Sequence, residues 1–226
     1  MRLPCSVAVA VAMHAKLRFP SPMKLSTYTG GFCATNGYLV ETPDGNLVID
    51  APDGIAAWLA DRGVRADHVL LTHQHFDHVW DAAALQATGA RLHAMEEYSD
   101  EFTLESLSRK WGMPVPIAPY QIDFRLDPAA PPPLEICGLQ FTLHHVPGHS
   151  QDSVVFHLPE HVLAFSGDTV FAGSIGRTDL PGGNHRQLLD GIARRLLTLP
   201  PHTRLLPGHG PATTVAAEAA TNPYLI

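Results

Sequence analysis

At 226 residues and 45% hydrophobic content, the chain is long enough to bury one sizeable core. The 15 Lys plus Arg against 22 Asp plus Glu give a formal net charge of −7 without basic blocks, which argues against nucleic acid as a partner. Cys5, Cys33 and Cys137 are far apart, odd in number and form no C-x-x-C pair, so neither a disulfide framework nor a thiolate zinc site is indicated, and a reducing, cytoplasmic compartment is the simplest context.

No apolar run reaches the roughly 18 residues that span a bilayer, so no membrane association is expected. The Ala/Val stretch between Arg2 and Met13 is a weak match to a secretory signal. Its apolar part is short, and Met23 stands before the first strand-like segment. Residues 1–22 therefore read as an extension outside the core and 23–226 as one domain. From Lys24 onward, short apolar runs alternate with helical stretches, the mark of a mixed α/β or α+β chain. Segments 37–40 and 46–49 flank Thr42-Pro43-Asp44-Gly45 and read as a β-hairpin at the edge of the domain. A helix is expected over 55–62, with Asp53 as N-cap and Gly63 as the stop. The strand at 69–72 runs straight into His73-Gln74-His75-Phe76-Asp77-His78, and 79–88 reads as a helix ended by Gly89. A short strand at 91–95 precedes a helix over about 100–111. Pro114, Pro116, Pro119, Pro128 and the run 131–133 then impose an irregular connector. Strands follow at 139–146, 153–158 and 161–165, the last two joined by a turn at Pro159-Glu160. A helix over 185–199 places Leu188, Leu189, Ile192 and Leu196 on one face, and the final strand is 204–206.

Four of these strands lead directly into potential metal ligands: the His73 cluster, His149, Asp168 and His209. Strands lying side by side would bring their carboxyl ends, and these distant residues, to one edge. His73, His75, Asp77 and His78 are nitrogen and oxygen donors of a kind that suits zinc, iron or manganese. In a tight loop the first two can aim at one ion and the last two at another. Pro147-Gly148-His149, Ser166-Gly167-Asp168 and Pro207-Gly208-His209 each place glycine directly before a donor, which permits close approach in a crowded loop. Any one of these histidines alone is more often a surface or hydrogen-bonded residue; together with the dense cluster they read as ligands.

The stretch Thr72 to His78 resembles the H-x-H-x-D-H signature of the metallo-β-lactamase superfamily, with His149, Asp168 and His209 matching its remaining ligands in order. Within that superfamily, Gly167-Asp168-Thr169-Val170-Phe171 and Gly176-Arg177-Thr178-Asp179 are similar to the short-form, glyoxalase II-like hydrolases. The resemblance covers about Lys24 to the C-terminus. It implies a four-layer αββα sandwich with metals at one edge, His73, His75 and His149 on one ion, Asp77, His78 and His209 on the other, and Asp168 bridging. Asp77 is primarily a ligand and secondarily a candidate proton relay.

Two such divalent ions, zinc foremost with iron or manganese as alternatives, would acidify a shared water and provide hydroxide near neutral pH. A thiolate leaves without a general acid, so a thioester of the hydroxyacylglutathione type is the expected small-molecule substrate. Arg177 is a candidate for a substrate carboxylate, against the plainer reading of a pair with Asp179. Phe171 and Tyr38 are candidates for the pocket wall, against core packing. Only residues 210–226 follow His209, so the helical extension that serves glutathione recognition in full-length relatives is missing. Asn222 and Tyr224 read as structural. A persulfide dioxygenase resembles the same branch and would hold one iron on His73, His149 and Asp168. Lactonase or phosphodiesterase activity and a non-catalytic metal-binding role are further alternatives.

Overall fold

A computed structural model describes residues 21–113, 115–130 and 133–226. Most of the expected extension over 1–22 lies outside the described residues, as do Pro114, Pro131 and Pro132 of the connector. The first sheet has the order β1 (Lys24–Gly30), β2 (Thr35–Thr42), β3 (Gly45–Ile49), β4 (His68–Leu70), β5 (Arg91–Ala94) and β6 (Phe124–Arg125). Its first three strands are antiparallel and the rest join in parallel. The second sheet contains β7 (Leu134–Ile136), β8 (Leu139–His145), β9 (Val154–Leu158) and β10 (Leu163–Gly167). A small ribbon of β11 (Val170–Phe171) and β12 (Ser174–Ile175) follows, before β13 (Arg204–Pro207) and β14 (Thr213–Thr214) complete the second sheet beyond β10.

The two sheets face each other. Val40, Leu47, Ile49 and Leu70 of the first pack with Phe141, Phe156, Phe165 and Leu206 of the second. The neighbouring residues on the same strands turn outward under helices. Leu39, Val48 and Val69 meet α1 (Ile55–Ala60), α2 (Phe76–Val79) and α3 (Ala82–Ala87), while Val155, Ala164 and Leu205 meet α6 (His185–Gly191), counted after α4 (Asp100–Thr103) and α5 (Glu105–Lys110), and α7 (Val215–Thr221). The result is the expected helix–sheet–sheet–helix sandwich. Both faces of the central strands are covered, so the sequence shows continuous apolar runs there instead of polar alternation. Truncating Phe141, Phe156 or Phe165 to Ala, each fully buried, is expected to cost about 3–5 kcal/mol.

Several helices differ from expectation. Helix α1 opens at Gly54 in the left-handed region and has no side-chain cap, so Asp53 does not cap it. A side chain at 54 would strike the Tyr28 hydroxyl, which itself donates to the Asp53 carbonyl. The helix expected over 79–88 divides into α2 and α3 and begins inside the ligand motif, because Ala51 at the end of β3 bonds to the backbone of both His78 and Asp81. The helix over 100–111 breaks at Leu104, at φ 60°, where the buried Glu105 carboxylate accepts from Thr103 and Tyr98. The helix expected over 185–199 ends as regular α-helix at Gly191 and continues as a π-helical turn, Ile192–Leu196. Strand β14 and α7 fall where the sequence offered no clear periodicity. No helix among the described residues is long and apolar enough to cross a membrane.

Candidate metal centre

Strands β8, β10 and β13 run in the same direction, since β9 is antiparallel to both β8 and β10 and β13 is parallel to β10. Their carboxyl ends deliver His149, Asp168 and His209 to the edge where β4 delivers the His73 loop. The Val154 amide donates to the Thr72 carbonyl at 2.8 Å, stitching one sheet to the other beside the ligands. Two glycines permit the closeness. Gly148 has φ 129°, and a Cβ there would stand 2.4 Å from the Leu188 nitrogen. At Gly208 a Cβ would come within 2.1 Å of Asp168 Oδ1. Side chains at either position would displace a ligand loop.

The convergence produces three overlapping groups whose ligand atoms lie within 4.8 Å of one another and can hold a metal ion: His73, His75 and His149; His73, His78 and Asp168; and Asp77, His78 and His209. Asp168 lies between the outer two groups. Its Oδ2 is 3.5 Å from His149 Nε2 and 3.3 Å from His209 Nε2, and its Oδ1 is 3.3 Å from His78 Nε2. Asp77 Oδ2 is 3.2 Å from His209 Nε2 and 3.6 Å from His78 Nε2.

Hydrogen bonds on the outer side of the rings fix which nitrogen faces inward. Because carbonyl and carboxylate oxygens only accept, His149 Nδ1–H donates to the Arg177 carbonyl at 2.8 Å, His209 Nδ1–H to the Cys33 carbonyl at 3.1 Å, and His78 Nδ1–H to Asp50 Oδ2 at 2.9 Å. The Thr72 hydroxyl gives its proton to Asp50, so its oxygen accepts from His73 Nδ1–H at 3.1 Å. In each ring of this set Nε2 is therefore the nitrogen that faces the centre. His73, His78 and His149 Nε2, together with Asp168 Oδ1, are buried without a hydrogen-bond partner. Buried polar atoms rarely go unpaired. Four of them converging, all borderline nitrogen or hard oxygen donors, fit divalent metal ions.

By themselves these side chains divide electrostatically. Burial, then the charge of His149, drives His75 down to about 3, and burial followed by the neighbouring imidazoles holds His73 well below its usual value. Burial acts in the same sense on His78 but loses to Asp77, Asp168 and Asp50, which raise it well above the ordinary imidazole range. His209 follows the same pattern: burial opposes, while hydrogen bonds to Asp168 and Asp77 lift it to about 10. For the carboxylates, burial works upward but the nearby imidazoles prevail, leading with His78, so Asp77 falls to about 2 and Asp168 well below the usual range.

The remaining sequence candidates separate. Arg177 borders the cavity over the ligands, but its guanidinium is closed on Asp179 through two 2.8 Å bonds, as the plainer reading held. Phe171 sits edge-on to the His209 ring at 5.9 Å between centroids. Tyr38 does not line the pocket. It is buried between the sheets against Phe165, with its hydroxyl donating to the Pro207 carbonyl, because β2 turns it toward the inter-sheet core. Asn222 is fully buried and bonds Ser174 and Glu218, whereas the Tyr224 side chain is half exposed and its backbone amide bonds the Asn222 side chain.

Sequence reasoning missed three participants. Asp50 accepts from the Thr72 amide and hydroxyl and from His78, and takes φ 58° to do so. The Thr35 hydroxyl donates to Asp77 at 2.7 Å, and Cys33 orients His209 through its carbonyl. Asp50 carried a faint signal, an acidic residue directly after an apolar strand; the other two carried none. The cavity over the ligands has a volume of about 270 Å³. A larger one of about 730 Å³ borders His68, at the opposite end of β4, and holds none of the clustered ligands. The donor chemistry makes the smaller cavity the functional one.

Known proteins agree with this geometry. The family model of the metallo-β-lactamase superfamily matches residues 30–209. The chain is 33% identical over 216 residues to the probable metallo-hydrolase YqgX of Bacillus subtilis, covering 90% of this chain and 98% of that one. It is 35% identical over 203 residues to the hydroxyacylglutathione hydrolase GloC of Haemophilus influenzae, covering 84% and 92%. Among solved structures, the BLEG-1 B3 metallo-β-lactamase superposes with a TM-score of 0.78 at 32% identity, covering 89% of this chain and 99% of that one. TTHA1623 in a di-iron-bound form superposes at 0.76 and 37% identity, covering 88% and 100%. With its fold, its converging donors and these likenesses in agreement, the chain belongs to the metallo-β-lactamase superfamily and is a metallo-hydrolase of that superfamily.

Proposed function

We propose that this protein hydrolyses thioesters at a dinuclear metal centre, zinc foremost, with His73, His75 and His149 holding one ion, Asp77, His78 and His209 the other, and Asp168 serving both. The observation that carries the reading is the pair of three-residue groups set either side of one buried aspartate. Bound divalent ions supply an acidified water and polarisation of a carbonyl oxygen. The chain's own contribution is to hold the His149 and His209 rings through backbone carbonyls and to keep His73 and His75 free of extra protons.

The thioester preference follows from what lines the cavity. Apart from the ligands, the described lining residues offer no side-chain acid beyond the Cys33 thiol, and the Ser108 hydroxyl is spent on the Leu104 carbonyl. A leaving group that departs without protonation suits such a wall, and thiolates do, having a thiol pKa near 8.5. The 35% identity to a hydroxyacylglutathione hydrolase supports the same substrate class. A small organic thioester is then the partner, in a cytoplasmic setting. The test is steady-state cleavage of S-lactoylglutathione by protein stripped with chelator and reloaded. Cleavage restored by two equivalents of metal is expected. Oxygen uptake with glutathione persulfide at one equivalent of iron, without thioester cleavage, would transfer the protein to oxygen chemistry.

A further inference from the structure

The cavity over the ligands has an asymmetric lining. One side is the polar metal centre; the other is built from three separate chain segments that present apolar side chains. Phe32 comes from the turn between β1 and β2, with its ring stacked on Phe76 at 5.8 Å. Leu107, Trp111 and Met113 come from α5 and the residues after it, and Leu180 from the loop following Arg177. Phe32 is 65% exposed, Trp111 54% and Met113 49%. Three of the six large exposed hydrophobic residues among those described thus border this one small cavity, which is more than scattered surface apolarity provides. Among the described lining residues the one Lys or Arg, Arg177, is already paired with Asp179.

Resting on the thioesterase reading, we infer that the substrate carries an apolar acyl chain of several carbons, seated against Phe32, Trp111 and Met113, and that an acyl group bearing its own carboxylate is disfavoured. Water leaves both the chain and the three exposed side chains on binding, which is the favourable term. A carboxylate seated against Phe32, Trp111 and Met113 would lose its hydration and meet no unpaired Lys or Arg among the described lining residues. The volume of about 270 Å³ sits just below the usual range for small-molecule pockets, so the acyl portion alone fills it and the thiol portion extends outward.

The experiment is kcat/KM for the metal-loaded protein on thioesters of one small neutral thiol, N-acetylcysteamine, bearing acetyl, butanoyl, hexanoyl or succinyl groups. A fully buried methylene is worth about three- to fourfold, so half-burial of the added chain gives about a tenfold gain from acetyl to hexanoyl, with succinyl the poorest. Trp111→Ala and Met113→Ala should each lower the hexanoyl-to-acetyl ratio about threefold. A flat series, or a preference for succinyl, overturns the inference. If no thioester is cleaved, the thioesterase reading falls separately. The acyl preference is then read by calorimetry of hexanoate, acetate and succinate binding, and it stands only if hexanoate binds about tenfold more tightly than the others. Sedimentation velocity covers the remaining occupant: a dimer that Trp111→Ala converts to monomer would assign the apolar wall to a second copy of the chain and contradict the proposal.

Discussion

The two outer ligand groups, three histidines in one and an aspartate with two histidines in the other, prepare for a metal ion in opposite ways. In the group of His73, His75 and His149, burial reinforced by neighbouring imidazoles outweighs the carboxylates and keeps His73 and His75 neutral, so an ion arrives at ready lone pairs on both. Around Asp77, His78 and His209 the carboxylates of Asp50, Asp77 and Asp168 hold protons on His78 and His209, and an ion arrives at a site that balances its own charge. The difference comes from the carboxylates, Asp77 among the ligands themselves and Asp50 and Asp168 beside them. It teaches that the second group must exchange protons for metal, and that Asp168, facing both, couples them.

Removing that coupling is the largest expected perturbation. Asp168→Asn should lower turnover by on the order of 10³-fold or more, since one side chain faces both groups, and elemental analysis should show loss at both positions. Loss at one position alone would break the symmetry assigned to Asp168.

The pH dependence of loading separates the two groups next. His209 rises from 6.5 to about 10, so below pH 10 metal must expel its proton. Apparent affinity at the second group should therefore climb about tenfold per pH unit per proton released, from pH 6.5 toward 10. His75 falls from 6.5 to about 3, so affinity at the first group should be nearly flat above neutrality. Chelator competition at several pH values measures both slopes, and equal slopes would contradict the comparison. The same signs govern the metal-free fold. Stability from the raised His209 is fully present below pH 6.5 and is lost as pH rises through 10. Stability tied to neutral His75 is present above pH 6.5 and is lost as pH falls through 3.

Asp50→Asn tests the outer support of the second group. Such supporting partners are typically worth 10–100-fold in metal affinity, and the loss should fall on the second equivalent of metal in a calorimetric titration. Arg177→Ala should do least. Its pair with Asp179 is more than half exposed, and the contact to His149 is made by its backbone carbonyl, so kcat/KM on neutral thioesters should change by no more than about twofold. A change above tenfold would return the guanidinium to substrate recognition.

Much of this was legible because strands and ligands share one logic. Apolar-rich strands at 69–71, 141–146, 162–165 and 204–206 lead into loops that carry donors, and the shared direction of β8, β10 and β13 brings three of those ends together. What stayed hidden depends on neighbours distant in the chain. Asp50 reaches Thr72 and His78 only because β3 pairs in parallel with β4, a partnership no local pattern announces. The break at Leu104 carries no glycine or proline to announce it, and Leu104 and Leu107 on either side of the start of α5 line the cavity, which a helix expected to be continuous over 100–111 did not reveal. Tyr38 misled because a strand buried on both faces offers no alternation to say which way an aromatic ring points.

The most direct test of the account is elemental analysis of metals per chain on protein purified anaerobically, with the thioesterase assay run on the same sample. Two divalent ions per chain, with cleavage that disappears on chelation and returns on reloading, is the predicted result. One iron per chain, with persulfide-dependent oxygen uptake and no thioester cleavage, would contradict it.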